Sequence, residues 1–135
     1  MYLLDTNVCI EIIKGRSAIV RRRFQLAATE GTSLFVSSVS NFELWYGVEK
    51  SDRQQINQRL VESFLSGPLQ VLNFDEEDAK RAGAIRVVLE LQGKMIGPFD
   101  TLLAGQALRH ELILVTANTR EFSRVKGLEL ENWGK

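Results

Sequence analysis

The chain has 135 residues, of which 44% are apolar and 25% charged, and its 17 acidic residues balance 17 basic ones. This length and composition fit one compact domain and exclude collagen-like or disordered proteins, while the zero net charge restricts any nucleic-acid contact to a local patch. The single cysteine, Cys9, excludes an internal disulfide and a cysteine-based zinc site.

The start of the chain predicts a strand that ends in a carboxylate. Residues 1 to 4 favour a β-strand, Asp5, Thr6 and Asn7 follow at once, and a short helix is predicted over residues 8 to 14. This order places Asp5 at the C-terminal edge of the strand, which is where ligands bind in open α/β sheets.

Strands and helices alternate along the rest of the chain. Apolar or alternating runs predict strands at 34–36, 70–74, 112–116 and 128–131. Caps and helical spacing predict helices at 18–29 after Ser17, from 41, at 53–65, from Asp75 to 91, at 101–110 and within 117–122. This alternation predicts an α/β domain over residues 1 to 135 with a largely parallel sheet.

Three carboxylates, Asp5, Glu43 and Asp100, stand at or near predicted helix starts. Each has a structural explanation by itself: Asp5 as an N-cap, Glu43 in a capping box with Ser40, and Asp100 as a complement to a helix dipole. Taken singly, these explanations are the better ones.

Taken together, the three acids indicate a metal site, because parallel strands bring their C-terminal ends to one edge of a sheet. Like charges 4 Å apart repel by about 4 kcal/mol at an effective dielectric of 20. A cation is needed to hold them together, and Mg²⁺ or Mn²⁺ suits oxygen ligands. Asn118, which follows the strand at 112–116, would supply a neutral oxygen to the same edge.

Several segments, in this order, resemble the PIN-domain ribonucleases, specifically the VapC toxins of bacterial toxin–antitoxin pairs. They are Leu-Leu-Asp-Thr-Asn at 3–7, Ser-Val-Ser-Asn-Phe-Glu-Leu at 38–44, Gly-Pro-Phe-Asp-Thr-Leu-Leu-Ala-Gly at 97–105, Leu-Val-Thr-Ala-Asn-Thr-Arg-Glu-Phe at 114–122 and Gly-Leu-Glu-Leu-Glu-Asn-Trp at 127–133. The resemblance covers essentially the whole chain.

The resemblance implies a PIN-like three-layer α/β/α fold with a five-stranded parallel sheet and an Mg²⁺- or Mn²⁺-dependent endoribonuclease. It implies that Asp5, Glu43 and Asp100 are the catalytic, metal-binding acids. Thr6 and Thr116 are expected to orient them. Many relatives have an aspartate where this chain has Asn118, with Glu121 further on, so one tightly held metal is expected and a second only weakly bound.

The resemblance also implies partners. The chain is expected to be the toxin of a pair, to cut structured RNA such as tRNA, to form a homodimer and to be blocked by a cognate VapB-type antitoxin in a larger assembly. Promoter DNA is expected to be bound only through that antitoxin. The sequence has no signal-peptide pattern and no apolar run of the roughly 20 residues that span a bilayer, so a cytoplasmic location without membrane contact is expected.

The lone histidine, His110, favours hydrolysis by metal-activated water, because metal-free RNA cleavage commonly uses a pair of histidines. His110 is predicted to be a surface or cap residue, and Cys9 to pack in the core. Of Trp45 and Tyr46, one is predicted to be buried and the other free to contact a partner or a base.

Two alternatives remain open from the residues alone. A phosphotransfer or phosphatase domain also carries an aspartate after its first strand, but it needs a second acid nearby, and position 7 is Asn7. A catalytically silent interaction module is the other alternative, and the presence of all three acids disfavours it.

Overall fold

The structure is a computed structural model that describes all residues from 1 to 135. It contains five strands and seven helices. In chain order these are β1 (Tyr2–Leu4), α1 (Thr6–Lys14), α2 (Ala18–Thr29), β2 (Leu34–Ser37), α3 (Ser38–Lys50), α4 (Gln54–Leu65), β3 (Gln70–Leu72), α5 (Glu76–Leu91), α6 (Pro98–Arg109), β4 (Ile113–Val115), α7 (Thr119–Phe122) and β5 (Leu130–Glu131).

The five strands form one parallel sheet in the order β3-β2-β1-β4-β5, which confirms the predicted sheet. The central strand is β1, whose Tyr2 lies opposite Leu34 of β2 on one side and Ile113 of β4 on the other. The chain therefore runs outward from β1 in both directions. This reversal of strand order is where open α/β sheets form a ligand crevice.

The core lies in two layers, one on each face of the sheet. Leu4, Val36 and Val115 point into a cluster with side chains of α1 to α4, while Leu3 and Leu114 point into a second cluster with α5, α6 and α7. Neighbouring strand residues face opposite sides because side chains alternate along a strand. The expected three-layer α/β/α architecture is thus confirmed.

Two helices begin about one turn earlier than the sequence predicts. Helix α3 begins at Ser38, because Ser37 has extended backbone and its hydroxyl accepts the Val39 N–H at 3.0 Å. The predicted capping box between Ser40 and Glu43 is therefore wrong, and both residues lie inside the helix. Helix α6 begins at Pro98, whose fixed φ and missing N–H suit the first helical position.

Several smaller predictions are confirmed. Cys9 is fully buried, Trp45 packs against the core, and Tyr46 is 57% exposed. His110 occupies the C-cap of α6, and Asp75 caps α5 in a capping box with Asp78. None of the helices combines the length and the apolar character required to cross a membrane.

Candidate active site

Asp5 lies at the C-terminal end of the central strand and is only 4% exposed. It occupies the N-cap position of α1, yet its carboxylate does not accept the N–H of the second or third helical residue, as a capping side chain does. Instead, Oδ2 accepts a 2.8 Å hydrogen bond from Thr116 Oγ1, just beyond β4. The carboxylate is thus aimed along the sheet edge between β1 and β4, and the N-cap explanation of Asp5 is insufficient.

Thr116 is completely buried, and its hydroxyl both donates and accepts a hydrogen bond. Its oxygen accepts the backbone N–H of Asn118 at 3.0 Å, and its proton goes to Asp5. Because a hydroxyl has only one proton, the bond from Asn118 leaves that proton free for the carboxylate. Thr116, which the sequence predicts to orient one of the acids, therefore lies next to Asp5.

Glu43 reaches the same edge from the second turn of α3. Its Oε1 accepts a 2.8 Å hydrogen bond from Thr6 Oγ1, the first residue of α1. Thr6 is itself almost fully buried and directly follows Asp5. The two predicted supporting threonines therefore each hold one acid, Thr116 holding Asp5 and Thr6 holding Glu43.

Asp100 lies in the first turn of α6 and is half-buried. A side chain at the preceding cap position, Gly97, would place its Cβ 3.3 Å from Asp100 Oδ2, so the glycine leaves room for the carboxylate. Burial, and then the charges of Asp5, Glu121 and Glu43 in that order, together raise the pKa of Asp100 to about 6. No hydrogen bond to the carboxylate opposes these effects.

Burial also raises the pKa of Asp5, although the hydrogen bonds from Thr116 and from the Thr6 backbone oppose the rise. The charge of Glu43 adds to it. The charge of Glu43 acts on Asp5, and the charges of Asp5 and Glu43 act on Asp100, so the fold brings the three predicted acids into one neighbourhood.

Glu121 is a fourth acid at this edge, which the sequence indicated only as a residue beyond Asn118. It lies in the short helix α7 and contributes to the raised pKa of Asp100. The side-chain nitrogen of Asn118 donates to Glu121 Oε2 at 2.9 Å. Asn118 therefore lies at the predicted edge, but its side chain holds a carboxylate there. In the sequence, this contact could have been predicted from the three-residue spacing of Asn118 and Glu121, which puts both residues on one side of a helical turn.

The four carboxylates have no basic counterpart. None of Asp5, Glu43, Asp100 and Glu121 forms an ion pair with an arginine, lysine or histidine. No three of the chain's His, Cys, Asp and Glu side chains form a ready-made metal cage. The chemistry and charge of the site nevertheless fit a hard divalent cation. All its donor atoms are oxygens, and the raised pKa values of Asp5 and Asp100 show that their negative charges lack a compensating positive charge.

Cys9 and His110 take no part in the site. Cys9 is fully buried and its thiol faces the Leu4 carbonyl oxygen at 3.9 Å, while burial and then the nearby Asp5 charge raise the pKa of the thiol. His110 is at the opposite end of α6 from Asp100, about 15 Å away along the helix axis, and its Nε2 lies 2.7 Å from Arg109 Nη1 and 3.4 Å from Asp78 Oδ1.

Comparisons with known proteins agree on one family. The PIN domain family model matches residues 2–128. The chain is 46% identical over 132 residues to the tRNA(fMet)-specific endonuclease VapC of Shigella flexneri, covering 98% of this chain and 97% of that protein.

Solved structures give the same result. In the structure of VapBC2 from Rickettsia felis bound to a DNA fragment from its promoter, the matching chain is 35% identical with a TM-score of 0.91, and 98% of each chain is covered. In the DNA-bound VapBC of Salmonella typhimurium, the matching chain is 40% identical with a TM-score of 0.90, covering 98% of this chain and 97% of that one.

Proposed function

We propose, starting from the fact that this chain belongs to the PIN-domain family of VapC ribonucleases, that Asp5, Glu43 and Asp100 are its catalytic carboxylates. The observation that carries the proposal is the group of acids without basic partners at the C-terminal edge of the sheet. A fold tolerates such a concentration of buried negative charge when a cation neutralises it. The chain is an endoribonuclease, and these acids are the groups suited to its chemistry.

The acids of the site would bind a cation, and the two threonines would orient the acids. Asp5, Asp100 and Glu43 would hold Mg²⁺, with Mn²⁺ as a substitute. When bound, such a cation offsets phosphodiester charge and makes water a stronger nucleophile at neutral pH. Thr116 and Thr6 fix the carboxylates of Asp5 and Glu43 through 2.8 Å hydrogen bonds, so little rearrangement is needed on binding.

Asn118 supports the site through Glu121, which it holds by the 2.9 Å hydrogen bond. Glu121 adds a fourth carboxylate near Asp100 and so provides negative charge for a second, weaker cation beside the substrate. The tight site is proposed to use Asp5, Glu43 and Asp100, because these three acids come from separate elements that meet at the switch in strand order.

The proposed reaction is hydrolysis of the RNA backbone. The oxygen of water bonds to phosphorus, and the bond from phosphorus to the 3′-oxygen breaks. This leaves a 5′-phosphate on one product and a 3′-hydroxyl on the other. The position of the only histidine at the far end of α6 supports this route over attack by the ribose 2′-hydroxyl.

The proposed substrate is tRNA, and its cleavage in the cytoplasm would inhibit translation. The support is the 46% identity to a relative named a tRNA(fMet)-specific endonuclease. Initiator tRNA is therefore the first substrate to test. We assign this activity to one domain spanning residues 1–135, since all the acids belong to one sheet and its helices.

The proposed partner is a VapB-type antitoxin that covers the acids and carries the promoter-DNA contact. Two similar solved complexes, those of Rickettsia felis and Salmonella typhimurium, contain VapBC bound to DNA. No membrane partner is proposed.

A homodimer is also proposed, with a higher assembly formed by the antitoxin. Three exposed aromatic side chains support this proposal: Phe42, which precedes Glu43 in the sequence, lies between Tyr46 and Phe99, with ring centroids 6.4 and 5.9 Å away.

The test is RNA end mapping with purified wild type, Asp5→Asn and Asp52→Asn incubated with initiator tRNA. We expect wild type and the exposed-loop control Asp52→Asn to release 5′-phosphate ends equally. Asp5→Asn should lose at least about 100-fold in rate, because a ligand carboxylate is removed. Chelation should abolish cleavage, and Mg²⁺ or Mn²⁺ should restore it.

Four results would contradict the proposal. Cleavage that survives chelation would remove the metal from the mechanism, and 2′,3′-cyclic phosphate ends would exclude hydrolysis by water. Equal activity of wild type and Asp5→Asn would exclude the catalytic assignment. Absence of cleavage in every variant, together with intact antitoxin binding, would favour the silent interaction module.

A further inference from the structure

We infer that Ser40 is a positioning residue for Glu43 and that it acts through the hydroxyl of Thr6. Ser40 is completely buried inside α3, one turn before Glu43. Its Oγ lies 2.7 Å from Thr6 Oγ1, which in turn lies 2.8 Å from Glu43 Oε1. The inference rests on the proposed role of Glu43 and adds a residue to it.

The proton count fixes the direction of the chain of hydrogen bonds. Thr6 has one hydroxyl proton, and a carboxylate oxygen can only accept, so Thr6 donates that proton to Glu43. At the 2.7 Å contact the Thr6 oxygen must therefore be the acceptor, and Ser40 must be the donor. The Ser40 proton points out of its own helix, whereas a serine within a helix commonly bonds a carbonyl four residues earlier.

A second chain of hydrogen bonds in the site has the same form. Thr116 accepts one bond and gives its proton to Asp5, just as Thr6 accepts one and gives its proton to Glu43. The two differ in the first donor. Thr116 is oriented by a backbone N–H, whereas Thr6 is oriented by the Ser40 side chain. Substitution can therefore remove the first donor only in the Glu43 chain.

Ser40 also joins the two elements that carry the first two acids. Thr6 is adjacent to Asp5 at the start of α1, and Ser40 lies on α3 at the three-residue spacing that places it on the same face as Glu43. Without Ser40 the Thr6 hydroxyl is free to rotate, and the Glu43 carboxylate loses its fixed orientation. One net hydrogen bond is worth about 1 kcal/mol, so we expect about a fivefold weaker cation affinity and about a fivefold lower kcat.

The test measures Mn²⁺ binding by electron paramagnetic resonance, and tRNA cleavage, in wild type, Ser40→Ala, Ser40→Cys, Ser37→Ala and Glu43→Gln. Ser37→Ala is the matched control, because Ser37 is an equally buried serine whose hydroxyl caps the same helix without touching an acid. We expect Ser37→Ala to lower Tm but to keep the Mn²⁺ affinity. Ser40→Ala should lower that affinity, and Ser40→Cys, a weaker donor, should fall in between.

The outcomes separate the inference from the proposed function. If Glu43→Gln weakens Mn²⁺ binding and cleavage while Ser40→Ala matches wild type in both, Ser40 has no positioning role and the function stands. If Ser37→Ala weakens Mn²⁺ binding as much as Ser40→Ala does, the effect is one of helix stability, and the inference is overturned. If Glu43→Gln matches wild type throughout, the role of Glu43 fails and the inference fails with it.

Discussion

At the scale of single residues, Asp100 connects the stability of the protein to the chemistry of its site. Its pKa of about 6 in the folded protein exceeds its ordinary value of 3.8, chiefly because of burial and then because of Asp5, Glu121 and Glu43. Between these two pH values the folded state binds more protons than the unfolded state. The free energy of unfolding contributed by Asp100 therefore falls as the pH rises from about 4 to about 6.

Asp100→Asn should consequently stabilise the cation-free protein at neutral pH. In chelator at pH 7.5 we expect a higher Tm than wild type, because the variant has no charge to bury. The difference should shrink as the pH falls below 6 and level off below about pH 3, where the Asp100 carboxyl of wild type is protonated in both the folded and the unfolded state. Thermal unfolding at several pH values measures this effect.

Two controls sharpen the Asp100 experiment. Asp52→Asn, at an exposed position, should leave the pH dependence of Tm unchanged. Mg²⁺ should raise the Tm of wild type more than that of Asp100→Asn, since a cation that binds only the folded state stabilises it. A lower Tm for Asp100→Asn at pH 7.5 without cation would contradict the assigned environment of the carboxylate.

At the scale of elements, the close packing of α5 against α6 positions Asp100. A Cβ at Gly105 would lie 2.8 Å from backbone atoms of Ala82, so the two helices touch where neither has a large side chain. A Cβ added at Gly83, on the same helix as Ala82, would meet no atom within 4 Å. These two glycines form a matched pair with opposite expectations.

Gly105→Ala should destabilise the protein by about 1–3 kcal/mol, because the helices must separate to admit the methyl group. Gly83→Ala should stabilise it by about 0.5–1 kcal/mol, because alanine is the better helix former. Urea unfolding measures both values. Gly105→Ala should also slow RNA cleavage per folded molecule, since it shifts the helix that carries Asp100, and equal stability of the two variants would contradict this packing.

Helix starts show what the sequence predicts at this scale and what it leaves undecided. The predicted cap Asp75 is confirmed: it is the first of the acids at the start of α5, and its side chain accepts the Asp78 N–H. The segment 37–40 contains three serines, each able to cap α3, and local pattern does not choose among them. Ser37 is the cap because it is the residue that ends β2 with extended backbone, and this depends on the length of the strand.

At the scale of the whole molecule, strand order decides which acids meet. The alternation of strands and helices predicted a parallel sheet, and the family resemblance predicted its five strands. The convergence of Asp5, Glu43 and Asp100 follows from that sheet. The hydroxyl groups that donate hydrogen bonds to these acids could not be predicted from the strand order. Thr6 and Glu43 are 37 positions apart, and Thr116 and Asp5 are 111 apart, so no local pattern shows which hydroxyl holds which acid.

The C-terminal residues form β5, the edge strand on the opposite side of the sheet from β3, and the segment that follows it. Trp133 is 2% exposed, packs edge-on against Tyr2 at 5.3 Å and donates its ring N–H to Glu131 at 2.9 Å. Arg23 of α2 pairs with the same carboxylate at 2.7 Å, and so ties β5 to the α1–α4 layer. Because this ion pair is partly exposed, most of the stabilisation is expected from burial of the indole ring.

Trp133→Ala should therefore lower the free energy of unfolding by about 3–5 kcal/mol, as expected for removal of a buried aromatic side chain. Urea unfolding measures the loss, and removal of the exposed Lys135 alone, the control, should cost less than about 0.5 kcal/mol. Trp133 is absent from the hydrogen-bond network that holds the acids, so RNA cleavage per folded molecule should stay close to wild type at temperatures well below Tm. A variant that remains folded and equally stable but loses cleavage would instead place Trp133 in substrate binding.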